Sequence, residues 1–125
     1  MSPVAAGQFT YVWAGSTADP RALQKGSNAA DRIAGTWYSS SFTIDLNMSD
    51  QAQHQVAVYC LDWDSTTRRQ TIDVLDGNGN VLSSQSLATS FNGGMYLVWN
   101  VSGHVKLRIT VNSGANAVVS GLFFR

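Results

Sequence analysis

An all-β fold, an antiparallel β-sandwich or jelly roll of about eight strands, is what this sequence predicts. Three observations lead there. Helix formers are depleted: glutamate is absent from the 125 residues and lysine occurs only at 25 and 106, whereas Ser, Thr, Asn, Val and Gly are abundant. Apolar and polar residues alternate with period two over several stretches. Clusters of Gly, Asn and Ser interrupt those stretches at spacings of roughly 8 to 12 residues.

Residues 8–13 form the first predicted strand, with Phe9, Tyr11 and Trp13 on one face. The alternation then lapses over 14–31. Within that stretch, residues 18–26 predict one short helical turn, with Asp19 as N-cap, Pro20 at the first helical position and Gly26 as the stop. Residues 33–38 resume an extended pattern. Residues 42–48 alternate cleanly, sending Phe42, Ile44, Leu46 and Met48 inward and Thr43, Asp45 and Asn47 outward.

A polar connection over 49–54 leads into 56–61, which is apolar on both faces and therefore lies between two layers. That strand ends in the triplet Asp62-Trp63-Asp64, and a polar loop over 65–69 leads out. Residues 70–75 and 81–87 flank Asp76-Gly77-Asn78-Gly79-Asn80, whose Gly and Asn residues take positive φ cheaply, so the pair forms a β-hairpin. In 95–101, Met95, Leu97, Trp99 and Val101 share one face and Tyr96, Val98 and Asn100 the other. Beyond the Ser102-Gly103 link, Val105, Leu107, Ile109 and Val111 face inward, and 117–124 supply a last apolar strand.

Residues 1–125 make one domain with a sizeable core, since 44% of them are hydrophobic and 13% charged. The eight basic and eight acidic residues cancel without forming blocks, which argues against nucleic acid or an anionic membrane as partner. No apolar run approaches the roughly 20 residues of a membrane span, and the N-terminal residues lack the pattern of a signal peptide. Cys60, the single cysteine, sits within an apolar strand as a small buried hydrophobe.

Hydrolytic chemistry finds little support. Only aspartates are available as carboxyl groups, and Asp62 and Asp64, side by side at one strand end, do not flank a substrate. His54 and His104 are isolated and read as turn-stabilising hydrogen-bond partners. No Gly-x-Ser-x-Gly elbow, phosphate loop or metal-type Cys and His spacing occurs. The run Asp76-x-Asn78-x-Asn80 resembles the start of a calcium loop, but Leu87 stands where a bidentate acidic ligand is required, so no cofactor is expected.

The aromatics suggest a different chemistry. Trp13, Trp37, Tyr38, Trp63, Tyr96 and Trp99 are numerous for a small domain, and an indole or phenol face packs on the apolar face of a pyranose while Asp, Asn and Arg bond its hydroxyls. Trp99 and Trp13 fall in core-facing alternation. Trp37, Tyr38 and Trp63 lie at strand ends and are the stacking candidates, with Asp62, Asp64 and Arg68 as hydrogen-bonding candidates.

Several phrases spread over nearly the whole chain carry a resemblance. They are Tyr11-Val12-Trp13-Ala14 with Asp19-Pro20-Arg21-Ala22-Leu23-Gln24, Arg32-Ile33-Ala34-Gly35-Thr36-Trp37-Tyr38-Ser39, Ser41-Phe42-Thr43-Ile44-Asp45-Leu46, Leu61-Asp62-Trp63-Asp64, Tyr96-Leu97-Val98-Trp99-Asn100, Ser102-Gly103-His104-Val105, and the closing run from Asn116 to Phe124. Through them the chain resembles a group of bacterial, carbohydrate-binding-like β-sandwich modules appended to secreted glycoside hydrolases and large surface proteins. The resemblance implies a glycan or polysaccharide partner and a place in a larger secreted or cell-surface protein.

Two departures from that group bear on function. Such modules usually begin earlier, with a Gly-, Trp- and Tyr-rich segment, so a sheet edge is expected to be exposed here and to join copies into a homo-oligomer. The loop after Asp64 is also short, leaving fewer groups to close over a ligand. The expectation is a non-catalytic glycan-binding module; the alternative is a structural or self-assembly sandwich that oligomerises through its edges.

Overall fold

The computed structural model describes residues 3–48, 50 and 52–125, so Ser49 and Gln51 of the polar connection, and Met1 and Ser2, lie outside the described residues. The described residues form twelve strands in chain order: β1 (Val4–Ala6), β2 (Phe9–Thr17), β3 (Leu23–Lys25), β4 (Asn28–Ser39), β5 (Ser41–Asn47), β6 (His54–Cys60), β7 (Arg69–Asp76), β8 (Val81–Leu87), β9 (Met95–Val101), β10 (His104–Ser113), β11 (Ala117–Val119) and β12 (Gly121–Phe124). Every pairing is antiparallel.

One layer is a five-stranded sheet in the order β1-β5-β10-β7-β8. The other is built from β11-β4-β2, with β3 on β4, and from β12-β6-β9. Residues 117–124 join these two parts, pairing with β4 through β11 and with β6 through β12. At the crossing, the Ser120 N–H donates to the Tyr59 carbonyl at 2.8 Å. The architecture is a β-sandwich of jelly-roll type, as the composition and spacing lead one to expect.

The inward sets match the alternation. Phe42, Ile44 and Leu46 of β5, Leu107 and Ile109 of β10 and Leu97 and Trp99 of β9 meet Val56, Val58 and Cys60 of β6 in one core. Burying such side chains is worth about 1.5–3 kcal/mol each. The Asp76 carboxylate accepts the N–H groups of Asn78 and Asn80 in the β7-β8 hairpin, where Gly79 takes φ of 86°. That is the tight turn the Gly and Asn pattern predicts.

Two expectations change. Residues 18–26 form no helical turn: Asp19 accepts the Ala22 N–H in a single β-turn, and Leu23–Lys25 then pairs with β4. An Asp-Pro start serves a turn as well as a helix, and no apolar helical face follows to carry it on. The strand number exceeds eight because β1 and β3 are short and the last strand is split. Residues 4–6 pair with the outer edge of β5, and among the described residues the sheets end at β1, β8, β2 and β9.

Candidate functional site

The loop after β6 is organised around Asp62. Its side chain is fully buried; one oxygen accepts the Arg68 guanidinium at 2.6 Å and the Ser65 hydroxyl at 2.7 Å, and the other accepts the Arg68 N–H at 3.1 Å. Ser65 and Arg68 together give this one carboxylate three hydrogen bonds, which is why the loop can be short. Asn92 ties the same loop to its neighbour, donating to the carbonyls of Asp62 and Ser65 at 2.9 and 3.0 Å. Asp62, a candidate ligand contact from the sequence, has no surface to offer one in this arrangement.

Arg68 carries the order outward. Nη1 also bonds Asp64, and Nε donates to the Asn116 Oδ1 at 2.9 Å. Burial opposes the guanidinium's charge, but the Asp64 and Asp62 carboxylates more than offset this and raise the Arg68 pKa. The Asp64 side chain is 52% exposed. Its hydrogen bond from Arg68 holds the carboxyl below its ordinary value, with a smaller contribution from Trp13. A buried cation thus presents an ionised carboxylate to solvent.

Asp64 and Arg68 open onto a hollow of about 250 Å³ whose walls are Tyr11, Trp13, Tyr38 and Asn116. The β2-β4 register produces the aromatic wall, because Phe9 lies opposite Tyr38 and Tyr11 opposite Thr36, so these side chains share one face. Phe9 and Tyr38 have ring centroids 5.7 Å apart, and Arg68 lies 5.8 Å from the Trp13 ring centre. The volume is a little below the roughly 300–1,000 Å³ usual for small-molecule pockets, so the hollow suits one ring. It offers apolar faces, a carboxylate acceptor and an amide, the groups needed by a polyhydroxylated ring.

Of the six residues singled out from the sequence, Tyr38, Asp64 and Arg68 converge on this hollow, and Asp62 lies beneath it. Trp63 is elsewhere: its ring carries the Arg21 guanidinium 4.5 Å from its centre. Arg21 is itself clamped on Asp19 and donates to the Asn92 carbonyl at 2.9 Å. Trp37 lies in a separate apolar crevice between β4 and β12. Sequence reasoning left out Tyr11, Asn116 and the exposed part of Trp13. The alternation of β2 places Tyr11 and Trp13 together, but it cannot tell a core face from one that opens at a sandwich end.

No protein-family model matches the sequence, and no curated protein does. Solved structures resemble it in fold. A family 61 carbohydrate-binding module solved with β-1,4-galactotriose superposes with a TM-score of 0.52 and 12% identity, over 96% of this chain and 88% of that one. A family 35 module from Clostridium thermocellum gives 0.46 and 17% over 99% and 98%, and another from an environmental isolate 0.49 and 10% over 94% and 92%. The likeness to the family 61 module is one of fold, a β-sandwich.

Proposed function

We propose that this domain is a non-catalytic glycan-binding module, and that a sugar ring seats in the hollow between Tyr38 and Asp64. The observation that carries the reading is the exposed Asp64 carboxylate, fixed by Arg68 at the mouth of a hollow walled by Tyr11, Trp13 and Tyr38. An aromatic wall takes the apolar face of a pyranose and a preorganised carboxylate accepts its hydroxyls, which lowers the entropic cost of binding. Tyr38, Asp64 and Arg68 are the ligand contacts in this reading, Asp62 supports them, and Trp37 and Trp63 contribute nothing directly.

The carboxylates support a non-catalytic role. Each of the eight aspartates is tied to an internal partner: Arg21, Lys25, His104, His54, Arg68, Arg108 or a turn N–H. No two of them oppose each other across a cleft among the described residues, as glycoside hydrolysis requires. We place the module, by this reading, within a larger secreted or surface protein.

A glycan array followed by calorimetry tests the proposal, with β-1,4-galactotriose as a first probe because the family 61 module was solved with it. Tyr38→Ala and Asp64→Asn are each expected to weaken binding by about tenfold or more, the loss of a stacking face or a charge-assisted bond. An array without a bound glycan, or binding indifferent to both changes, would defeat the reading.

One observation favours the assembly alternative. Among the described residues the outer edge of β2 is unpaired, and Phe9, Tyr11 and Val12 on it are 63%, 55% and 48% exposed. Such an edge invites a second copy. In that reading light scattering gives a mass that rises with concentration and falls back in Val12→Lys; a constant monomer mass rules it out.

A further inference from the structure

A second cleft, of about 760 Å³, lies beside Trp63 and shares no residue with the hollow at Asp64. Its floor is aromatic. Tyr59, Tyr96 and Phe123 stand in a row across β6, β9 and β12, with ring centroids 4.6 and 6.1 Å apart. Tyr96 is 54% and Phe123 44% exposed, while Tyr59 is buried and donates its hydroxyl to the Arg21 carbonyl at 2.6 Å. Gly94, at φ of 86°, keeps this place open, since a Cβ there would fall 2.0 Å from the Tyr59 hydroxyl.

The rim is cationic. Arg21 and Arg32 line the cleft and no acidic side chain does. The Arg21 charge is matched by Asp19, which takes its guanidinium with both oxygens. Arg32 differs. Its Nη1 donates to the carbonyls of Ala22 at 2.7 Å and Pro20 at 3.3 Å, which fixes the plane of the group without neutralising it. Among the described residues no carboxylate lies within ion-pair distance of Arg32, and its Nε and Nη2 have no protein acceptor.

We propose that this cleft is a second glycan subsite, selective for a sugar ring that carries an anionic substituent, a carboxylate or a sulfate. The ring stacks on Tyr96 and Phe123, and the anion takes the unused donors of Arg32. A guanidinium already held in place loses little freedom on binding and presents a fork that matches both oxyanions. A neutral sugar would leave that charge without a partner. The proposal extends the glycan reading to another site and depends on none of the residues assigned to the first.

Calorimetry on the intact chain tests it with matched pairs: trigalacturonate against its methyl ester, and a sulfated galacto-oligosaccharide against its desulfated form. At least one anionic member should bind about tenfold or more tighter than its neutral partner, and which one does so identifies the substituent. Arg32→Gln should remove that preference, Arg32→Lys should restore part of it, and Tyr96→Ala should abolish the anion-selective binding. Lys106→Gln removes a charge on the other sheet and should change nothing. No preference in either pair, or a preference untouched by Arg32→Gln, overturns the proposal. Acidic-sugar binding lost in Tyr38→Ala but kept in Tyr96→Ala also overturns it, moving the ligand to the first hollow; loss of neutral-glycan binding in Tyr38→Ala alone leaves it standing.

Discussion

Arg68 and Asp62 form an ion pair at 2.6 Å with side chains 8% and 0% exposed, while the same guanidinium holds the half-exposed Asp64. Two carboxylates separated by one residue therefore differ in what their loss costs. Removing one member of a buried pair leaves a charge without its partner, a cost of about 3–5 kcal/mol. An exposed pair contributes about 0–1 kcal/mol. Asp62→Ala is expected to lower stability by the first amount and Asp64→Asn by the second. Urea unfolding of both variants checks this, and comparable midpoints would refute the division of roles.

Gln70 is the other buried polar group on which the fold turns. Its carboxamide is fully buried, and it donates to the Val118 carbonyl and accepts the Val118 N–H, both at 2.8 Å. These two bonds satisfy β11 just before the chain crosses to β6. Gln70→Leu keeps the approximate volume but leaves two buried backbone groups unpaired, each costing about 1–3 kcal/mol. We expect a stability loss of about 2–6 kcal/mol by that reckoning, with faster amide exchange at Val118. A Leu variant as stable as the parent would show that water or relaxation satisfies these groups.

The legibility of the fold follows the kind of force that forms each element. β5, β9 and β10 were plain in the sequence because each buries one face, and alternation is the direct record of that. β1 and β3 were not, because three residues carry no periodicity and their order comes from pairing with β5 and β4. At the site, Asp62 and Asp64 would point the same way on an extended strand. The chain leaves the strand at Leu61, so one turns into the core and the other outward. Charge pairing with Arg68 decides that, and no local pattern encodes it.

Cys60 provides a test of interior packing. It is fully buried among core residues, and burial pushes its thiol up to about 12, with the Gln70 amide a smaller opposing influence. The thiolate is the reactive form, so at neutral pH the native protein should resist iodoacetamide. Labelling should appear only as urea unfolds the domain, following the same transition as fluorescence. Rapid modification of the native protein would place Cys60 in a locally opening segment instead.

The pH dependence of stability centres on His54. Its Nε2 lies 2.9 Å from both Asp50 oxygens and its Nδ1 2.9 Å from the Arg125 carbonyl, so only the doubly protonated ring donates to both partners. The bond that His54 donates to Asp50, with that to the Arg125 carbonyl, raises the His54 pKa above its ordinary 6.5. The His54 bond lowers Asp50 below 3.8. A raised histidine contributes its stability fully below the unfolded value and loses it as pH rises through the folded value. A depressed aspartate contributes above its unfolded value and loses it as pH falls through the folded one. The pair is therefore complete between 3.8 and 6.5. Asp19, Asp31, Asp64, Asp73 and Asp76 are depressed as well and share the acid limb, whereas the loss above 6.5 belongs to His54. Urea midpoints of the parent should drop between about pH 6 and pH 8, and His54→Gln should flatten that limb while leaving acid unfolding in place. A parent curve that is already flat there would mean the two bonds do not persist in solution.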